Sequence, residues 1–111
     1  MNQITWDQFT AVEMRVGTII EVEDFPKARN PAYKLKVDFG EYGIKKSSAQ
    51  ITDLYAKESL LNKQVIAVCN FPPKQIADFM SECLVLGLIG DDSGVILLQV
   101  DRPVQNGLRV A

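Results

Sequence analysis

The residues best placed to do chemistry lie in one block, from Asn70 to Gly87. Phe71 and Pro72 each precede a proline, so their backbone is held extended and the block begins on a rigid frame. This frame presents Asn70 and Lys74 at defined positions. The side chains that follow are too apolar for an ordinary exposed turn, since they include Ile76, Phe79 and Met80. The chemistry that such a block predicts is binding, because it either covers the protein's own core or receives a partner.

The sequence offers little that could catalyse a reaction. It contains no histidine, the commonest general base, and no base accompanies Ser47 or Ser48. Cys69 and Cys83 lie in apolar runs without Cys-x-x-Cys spacing, which favours buried thiols over zinc, a disulfide or redox chemistry. We therefore expect a protein that is not an enzyme and that holds no metal and no cofactor.

The overall charge argues against nucleic-acid binding by bulk electrostatics, since the formal net charge is -2 and the pI is about 5.0. The distribution is less uniform. Basic residues outnumber acidic ones between positions 27 and 46; they are Lys27, Arg29, Lys34, Lys36, Lys45 and Lys46, against Asp38 and Glu41. This cluster is either a solvated sheet face or a surface that meets phosphate.

The length of 111 residues predicts a single domain over residues 1–111 with an adequate core. No apolar run approaches the ~20 residues that a membrane-spanning helix needs, so no membrane insertion is expected. The first residues lack the basic and apolar pattern of a secretory signal. A cytoplasmic protein is the default expectation.

Periodicity predicts the first half of the chain in some detail. Thr5 is expected to cap a short helix, and an extended segment is expected from about Met14 to Phe25, bending at Gly17. In that segment one predicted face carries Met14, Val16, Thr18, Ile20 and Val22, and the other carries Arg15, Ile19, Glu21 and Glu23. Tyr33, Leu35, Val37 and Phe39 alternate with polar residues, which predicts a second strand. Gly40 and Gly43 bracket a turn into a third strand that ends near Ser48.

The second half predicts a helix and three further strands. Helical turns are expected from Ile51 to Leu61. Apolar runs predict strands at residues 65–69, 83–88 and 95–100, and Asn106-Gly107 predicts a small hairpin in the tail. Three strands, a helix and further strands predict an all-β fold: a five-stranded OB-fold barrel with short helices and N- and C-terminal extensions, in which the helix plugs one end.

Three blocks carry a resemblance to a known family: residues 14–19 (MRVGTI), residues 46–51 (KSSAQI) and the block from Asn70 to Gly87. They closely resemble the CsaA family of export-related chaperones over essentially the full length. CsaA proteins are similar in turn to the wider tRNA-binding-domain family. The resemblance implies a homodimer of OB folds whose partners are unfolded or pre-secretory polypeptides.

The wider family implies a second set of residues. Its pattern of an asparagine, a proline, a basic residue and a serine is matched by Asn70, Pro73, Lys74 and Ser81, whereas Asp78 stands near where the family often has glycine. Because lysines on the second and third strands lie beside the usual OB groove, the residues implied for tRNA binding are Lys34, Lys36, Lys46, Asn70, Lys74 and Ser81.

The polypeptide-binding hypothesis involves a different set of residues. A receptor for non-native chains needs adaptable apolar surface with a few polar anchors. The residues expected to supply it are Ser48, Gln50, Asn70, Phe71, Ile76, Phe79 and Met80; the alternative is that Ile76, Phe79 and Met80 plug the barrel. We expect a chaperone first, with a tRNA-binding module as the alternative.

The two termini carry apolar residues that need a surface to cover. These residues are Trp6, Phe9 and Val12 near the start and Val104, Leu108 and Val110 near the end. They either pack within the chain or form a homodimer interface.

Overall fold

The computed structural model describes all 111 residues. Its helices are α1 (Trp6–Ala11) and α2 (Lys57–Leu60), and a 3₁₀ turn spans Gly40–Tyr42. The strands are β1 (Met14–Asp24), β2 (Tyr33–Asp38), β3 (Ile44–Ala49), β4 (Gln64–Val68), β5 (Lys74–Ile76), β6 (Phe79–Ser81), β7 (Leu84–Val85), β8 (Gly87–Leu88) and β9 (Ile96–Leu97). No helix is long and apolar enough to cross a membrane.

Five strands form one antiparallel sheet in the order β3-β2-β1-β4-β7. The long strand β1 organises this sheet, because Thr18–Asp24 pairs with β2 and Met14–Thr18 pairs with β4. The outer strands β3 and β7 come together, so the sheet is a nearly closed five-stranded barrel. The predicted OB fold is confirmed.

The barrel core is built by the alternation that the sequence predicted for β2. Leu35, Val37 and Phe39 are almost completely buried, and Tyr33 is nearly so. Leu60 of α2 is also fully buried, which agrees with a helix that plugs the barrel. Only four residues of the predicted segment from Ile51 to Leu61 are α-helical.

The predicted faces of β1 are wrong beyond its middle. A β-bulge lies between Ile19 and Glu21, so Ile20 is displaced to the surface while Ile19 is buried in the core. Gly17 does not mark the bulge. A Cβ atom there would lie 2.5 Å from Cγ1 of Val37 and 2.7 Å from Cε1 of Phe39, so the glycine permits close packing of β1 on the core.

The C-terminal half is more irregular than predicted. The expected strands at 83–88 and 95–100 shrink to the two-residue strands β7, β8 and β9. In place of an apolar turn, residues 74–81 form the hairpin β5–β6, which contacts β3. Its tight turn puts Ala77 in the left-handed region, at a φ of 53°.

The tail does not fold into the predicted hairpin at Asn106-Gly107. It lies antiparallel along β1, where the N–H of Val16 donates to the carbonyl of Leu108 (3.0 Å) and the N–H of Val110 donates to that of Met14 (2.9 Å). Asn106 adds a side-chain contact, since its Oδ1 accepts from Thr18 Oγ1 at 2.8 Å. The tail therefore covers the edge of β1 that β2 leaves unpaired.

The predicted N-terminal cap is confirmed. Thr5 Oγ1 accepts from the N–H of Gln8, and Gln8 Oε1 accepts in return from the N–H of Thr5. No residue of α1 is buried, so this helix lies on the barrel surface.

Candidate functional site

A groove of about 350 Å³ opens beside the hairpin β5–β6. Its lining residues are Ser48, Phe71, Pro72, Lys74, Ile76, Ser81, Glu82, Cys83 and Leu84. Phe71 is 54% exposed and Leu84 is 47% exposed, so two large apolar side chains face solvent at one site. Exposed apolar surface gathered in a concave site is typical of a binding surface.

The hairpin supplies one wall of this groove. Its register pairs Lys74 with Ser81 and Ile76 with Phe79, so these four side chains share the face turned toward the barrel. Met80 pairs with Gln75 and therefore lies on the opposite face. Of the apolar residues predicted in the hairpin, Ile76 lines the groove, Phe79 lies beside it and Met80 points away.

The hairpin is joined to β3 through Glu82. The N–H of Glu82 donates to the carbonyl of Lys46 at 2.7 Å, and the N–H of Lys46 donates to Oε1 of Glu82 at 2.9 Å. The N–H of Ser48 donates to Ser81 Oγ at 3.3 Å. The N–H groups of Lys46 and Ser48 on the outer edge of β3 are thus satisfied by side chains and not by a neighbouring strand.

The two serines of β3 have distinct structural roles. Ser47 is fully buried, and its Oγ donates to the carbonyl of Cys83 at 2.9 Å. Ser48 lies at the groove lining. Neither hydroxyl has a general base as a hydrogen-bond partner.

Phe79 is half-buried under a cover of aromatic and cationic side chains. Its ring packs edge-on against Phe25, with 5.5 Å between the ring centroids. The ammonium groups of Lys46 and Lys34 lie 5.3 Å and 5.9 Å from the Phe79 centroid. Phe79 is not part of the buried core cluster, and Lys34 and Lys46 alternate with the inward-facing residues of β2 and β3, so the ring packs against the outer face of these strands.

Three of the six basic residues between positions 27 and 46 have an acidic partner; they are Lys27, Lys34 and Lys36. Lys36 Nζ lies 3.1 Å from Glu21 Oε2, and Lys34 Nζ lies 3.7 Å from Glu23 Oε2. Neither Lys46 nor Lys74 has an acidic partner within salt-bridge distance, and both are next to the groove. Lys46 and Lys74 therefore bring uncompensated positive charge to the groove.

Asp78 is less repulsive toward anions than its sequence position suggests. Its Oδ2 accepts from Lys27 Nζ at 2.9 Å, and this hydrogen bond lowers the pKa of the Asp78 carboxyl. The carboxylate and the ammonium compensate each other at the hairpin turn.

Asn70 is occupied by contacts within the chain. Its Oδ1 accepts from the N–H of Glu13 at 3.0 Å, and its Nδ2 donates to the carbonyl of Ala11 at 2.7 Å. These bonds fasten the end of α1 to the end of β4. The local arrangement gives Asn70 a structural role at the rim, one residue before Phe71.

Gln50 lies away from the groove. It is exposed beyond the end of β3 and lines a separate depression with Thr52, Asp53 and Ile89. Four lining residues were not among the predicted site residues: Pro72, Glu82, Cys83 and Leu84. The alternation of polar and apolar residues beyond Ser81 could have indicated Glu82 as a polar residue at the rim. No such signal existed for Leu84, because the apolar run that contains it predicted a buried strand.

The predicted interface residues do not all gather in one place. Trp6, Phe9, Val12 and Val110 surround a small surface cavity of about 50 Å³, and Trp6 is 70% exposed. Leu108 is exposed on the tail, and the N–H of Val104 bonds to Gln64 on another part of the surface.

Both cysteines are free, and burial governs their acidity. Desolvation raises the pKa of the Cys83 thiol to about 12 and raises the pKa of the Cys69 thiol as well. The structure contains no cluster of three or more residues of the types that ligate metals.

Residues 14–109 match the family described as "Putative tRNA binding domain". In fold and sequence the chain is similar to the CsaA chaperone protein of Picrophilus torridus, with 54% identity and a TM-score of 0.93 over 98% of this chain and 100% of that one. The chaperone CsaA of Bacillus anthracis shows 44% identity and a TM-score of 0.93, covering 99% and 100% of the two chains.

The chain is also similar to part of a much larger enzyme. It is 34% identical over 110 residues to the methionine–tRNA ligase of Methanocaldococcus jannaschii. This match covers 99% of the chain but only 17% of the ligase, so the chain corresponds to a small part of that enzyme.

We expect Asn70→Ala to loosen α1 without unfolding the barrel. The substitution removes the acceptor of the Glu13 N–H and the donor to Ala11, at a cost of about 1–2 kcal/mol. Hydrogen exchange should become faster at the Glu13 amide and in α1, while exchange in β2 stays unchanged. Asn30→Ala, in an exposed loop, is the matched control. Unchanged exchange at Glu13 would contradict the structural role of Asn70.

Proposed function

The chain belongs to the tRNA-binding-domain family and, within it, resembles the CsaA chaperones over its whole length; from this premise we propose that it binds unfolded or pre-secretory polypeptides in the groove beside β5–β6. The observation that carries the proposal is the pair of exposed apolar side chains, Phe71 and Leu84, at the edge of a concave site. The proposed role is binding in the cytoplasm before export, without catalysis and without a cofactor.

The walls of the groove suit a client of variable sequence. Phe71, Pro72, Ile76 and Leu84 form an apolar lining that any large apolar side chain can contact. Such contacts are non-directional, so they impose little sequence specificity. A groove of about 350 Å³ admits one or two client side chains.

Polar groups at the rim suit the client backbone. Ser48 and Ser81 carry hydroxyl groups, and Glu82 and Lys74 bring one charge of each sign to the same lining. An extended chain presents amide donors and carbonyl acceptors along its length. The rim can therefore accept from some client amides and donate to some client carbonyls, whatever the client sequence.

Replacing Phe71 with serine should weaken client binding about tenfold while leaving the fold intact. The exposed ring contributes apolar contact area to the client and little to the core, and a tenfold loss corresponds to ~1.4 kcal/mol. Fluorescence anisotropy with a labelled presequence-like peptide at physiological salt measures the effect.

Leu88→Ser is the matched control, because Leu88 is 56% exposed and lies outside the groove lining. Equal weakening by both variants would mean that exposed apolar residues bind the peptide indiscriminately. A wild-type chain that neither binds the peptide nor suppresses aggregation of a denatured client would reject the proposal.

A second candidate function is binding of tRNA, which the family match and the two unpaired lysines beside the groove favour. Lys46 and Lys74 would meet phosphate, whereas the Ser81 hydroxyl already donates to the carbonyl of Cys83 at 3.3 Å. Lys34 and Lys36 would contribute less, since each already faces a glutamate. Asn70 would contribute mainly by holding the rim.

For this second function we expect Lys46→Ala and Lys74→Ala each to weaken tRNA binding and to lower the salt dependence by about one counterion. Lys36→Ala is the matched control, because Glu21 already compensates its charge. Binding curves between low and physiological salt give the slopes. Affinity that does not respond to salt would rule out a phosphate-binding surface.

We further propose that two copies associate through the apolar patch around α1, formed by Trp6, Phe9, Val12 and Val110. The helix buries none of its own residues, and the rings of Trp6 and Phe9 lie 5.4 Å apart between centroids at an interplanar angle of 41°. Leu108 extends this apolar surface along the tail. A symmetric pair would give two grooves for one extended client.

Trp6→Ser should shift the mass measured by light scattering from two chains to one. The reason is that a 70% exposed tryptophan contributes a large apolar area to the proposed interface. Leu61→Ser, at an exposed site away from the patch, should leave the mass unchanged. A wild-type chain that is monomeric at high concentration would contradict the interface.

A further inference from the structure

Cys69 and Cys83 lie one position beyond the last pair of the ladder between β4 and β7. The ladder between β4 and β7 pairs Ala67 with Val85 and Val68 with Leu84, so the next pair in this register is Cys69 with Cys83. The sequence separation of the two thiols hides this arrangement, because the β5–β6 hairpin is inserted between them.

The hydrogen bonds give this pair the geometry in which side chains approach most closely. The N–H of Cys69 donates to the carbonyl of Glu13, the residue before β1, and the carbonyl of Cys83 accepts from Ser47 on β3. Neither residue uses these groups toward the other, which makes them a non-hydrogen-bonded antiparallel pair. Such pairs have Cα atoms about 4.5 Å apart, within the range that a disulfide requires.

Both side chains also lie on the same face. Opposed residues of an antiparallel ladder point to the same side of the sheet. Ala67 and Cys83 belong to the buried core, and Cys69 and Val85 pack against that core. The two thiols are therefore neighbours on the inner face, with Cys83 buried and Cys69 partly accessible.

We propose that Cys69 and Cys83 are a modification site, at which a hydroperoxide closes a cross-strand disulfide that fixes the walls of the groove. Cys83 itself lines the groove and precedes Leu84, while Cys69 lies two residues before Phe71. The disulfide would join the chain segments that carry the two exposed apolar walls. This coupling to the groove rests on the proposed polypeptide binding.

The reaction balances with one equivalent of hydrogen peroxide. The accessible Cys69 sulfur attacks a peroxide oxygen; an S–O bond forms, the O–O bond breaks, and the leaving hydroxide takes the thiol proton as water. The Cys83 sulfur then attacks the Cys69 sulfenic acid; the S–S bond forms, the S–O bond breaks, and a second water leaves with the Cys83 proton. Two electrons pass from the thiols to the peroxide. Burial keeps the thiolate fraction small, so the reaction is slow at neutral pH.

The test uses the folded full chain and hydrogen peroxide. After oxidation the chain is unfolded, free thiols are alkylated with N-ethylmaleimide, and the intact mass is recorded. We expect a monomeric chain that has lost two hydrogens and carries no alkyl group, and we expect dithiothreitol to restore both alkylations. Cys69→Ser should keep the buried Cys83 thiol alkylatable, whereas Cys83→Ser, which lacks the second thiol, should carry oxygen on Cys69 and form no intramolecular disulfide. Two alkylated thiols in the treated wild type, or only oxygen adducts and intermolecular cross-links, would overturn the proposal.

The same oxidised sample tests the coupling to the groove. We expect its affinity for the presequence-like peptide to rise about threefold, because the walls are already ordered before binding. Cys69→Ser treated in the same way should show no change. A disulfide with unchanged peptide affinity would overturn the coupling, whereas a disulfide in a chain that binds no peptide in either form would reject the proposed function and leave the modification site standing.

Discussion

The structure depends on how the barrel closes between β3 and β7. Backbone pairing does not complete this seam; instead Ser47 bonds to the carbonyl of Cys83, and Glu82 bonds to both backbone groups of Lys46. If the buried hydroxyl of Ser47 lost its hydrogen-bond partner, the folded protein would lose about 1–3 kcal/mol of stability. Closure of the barrel at this seam therefore depends on a few side chains. Because closure is achieved by side chains, the chain can insert the β5–β6 hairpin between β4 and β7 without opening the core. The groove lies where the ladder is missing.

The distribution of charge follows from the same sheet register. Because β1 pairs antiparallel with β2, Glu21 lies opposite Lys36 and Glu23 lies opposite Lys34. Exposed ion pairs of this kind contribute only about 0–1 kcal/mol each to stability. Their larger effect is on the surface potential, since they compensate two charges of a basic face that looks continuous in the sequence. Lys46 and Lys74 remain unpaired beside the groove, so an acidic protein still presents local positive charge there.

The sequence predicted those elements whose pattern is local. The alternation of β2, the helix cap at Thr5 and the apolar run of β4 each require only a few neighbouring residues to recognise. The bulge at Ile20 was not predictable in this way, because one inserted residue changes the faces without changing the composition. The site was predicted in part: Ser48, Phe71, Lys74, Ile76 and Ser81 meet at the groove, but Met80 and Gln50 do not. Met80 was predicted at the site because the tight turn at Ala77 contains no glycine, so the sequence gave no sign of a hairpin that turns Met80 away. Gln50 was predicted there although it lies one residue beyond the end of β3.

The aromatic residues decide which ligand the groove suits better. Grooves that hold single-stranded nucleic acid generally present flat aromatic rings on which bases stack. Here Tyr33 and Phe39 are buried in the core, and the ring of Phe79 is covered by Phe25 and two lysines. Phe71 is the one aromatic residue of the groove lining, and it stands among aliphatic walls that offer no stacking partner. The groove and its edge therefore present two lysines and a single exposed aromatic ring beside a larger apolar lining, a composition that favours the proposed polypeptide ligand over the proposed tRNA ligand. In both proposals the barrel is the same and the composition of one wall decides the ligand, with Lys46 and Lys74 as phosphate contacts for tRNA or as rim charges for a polypeptide.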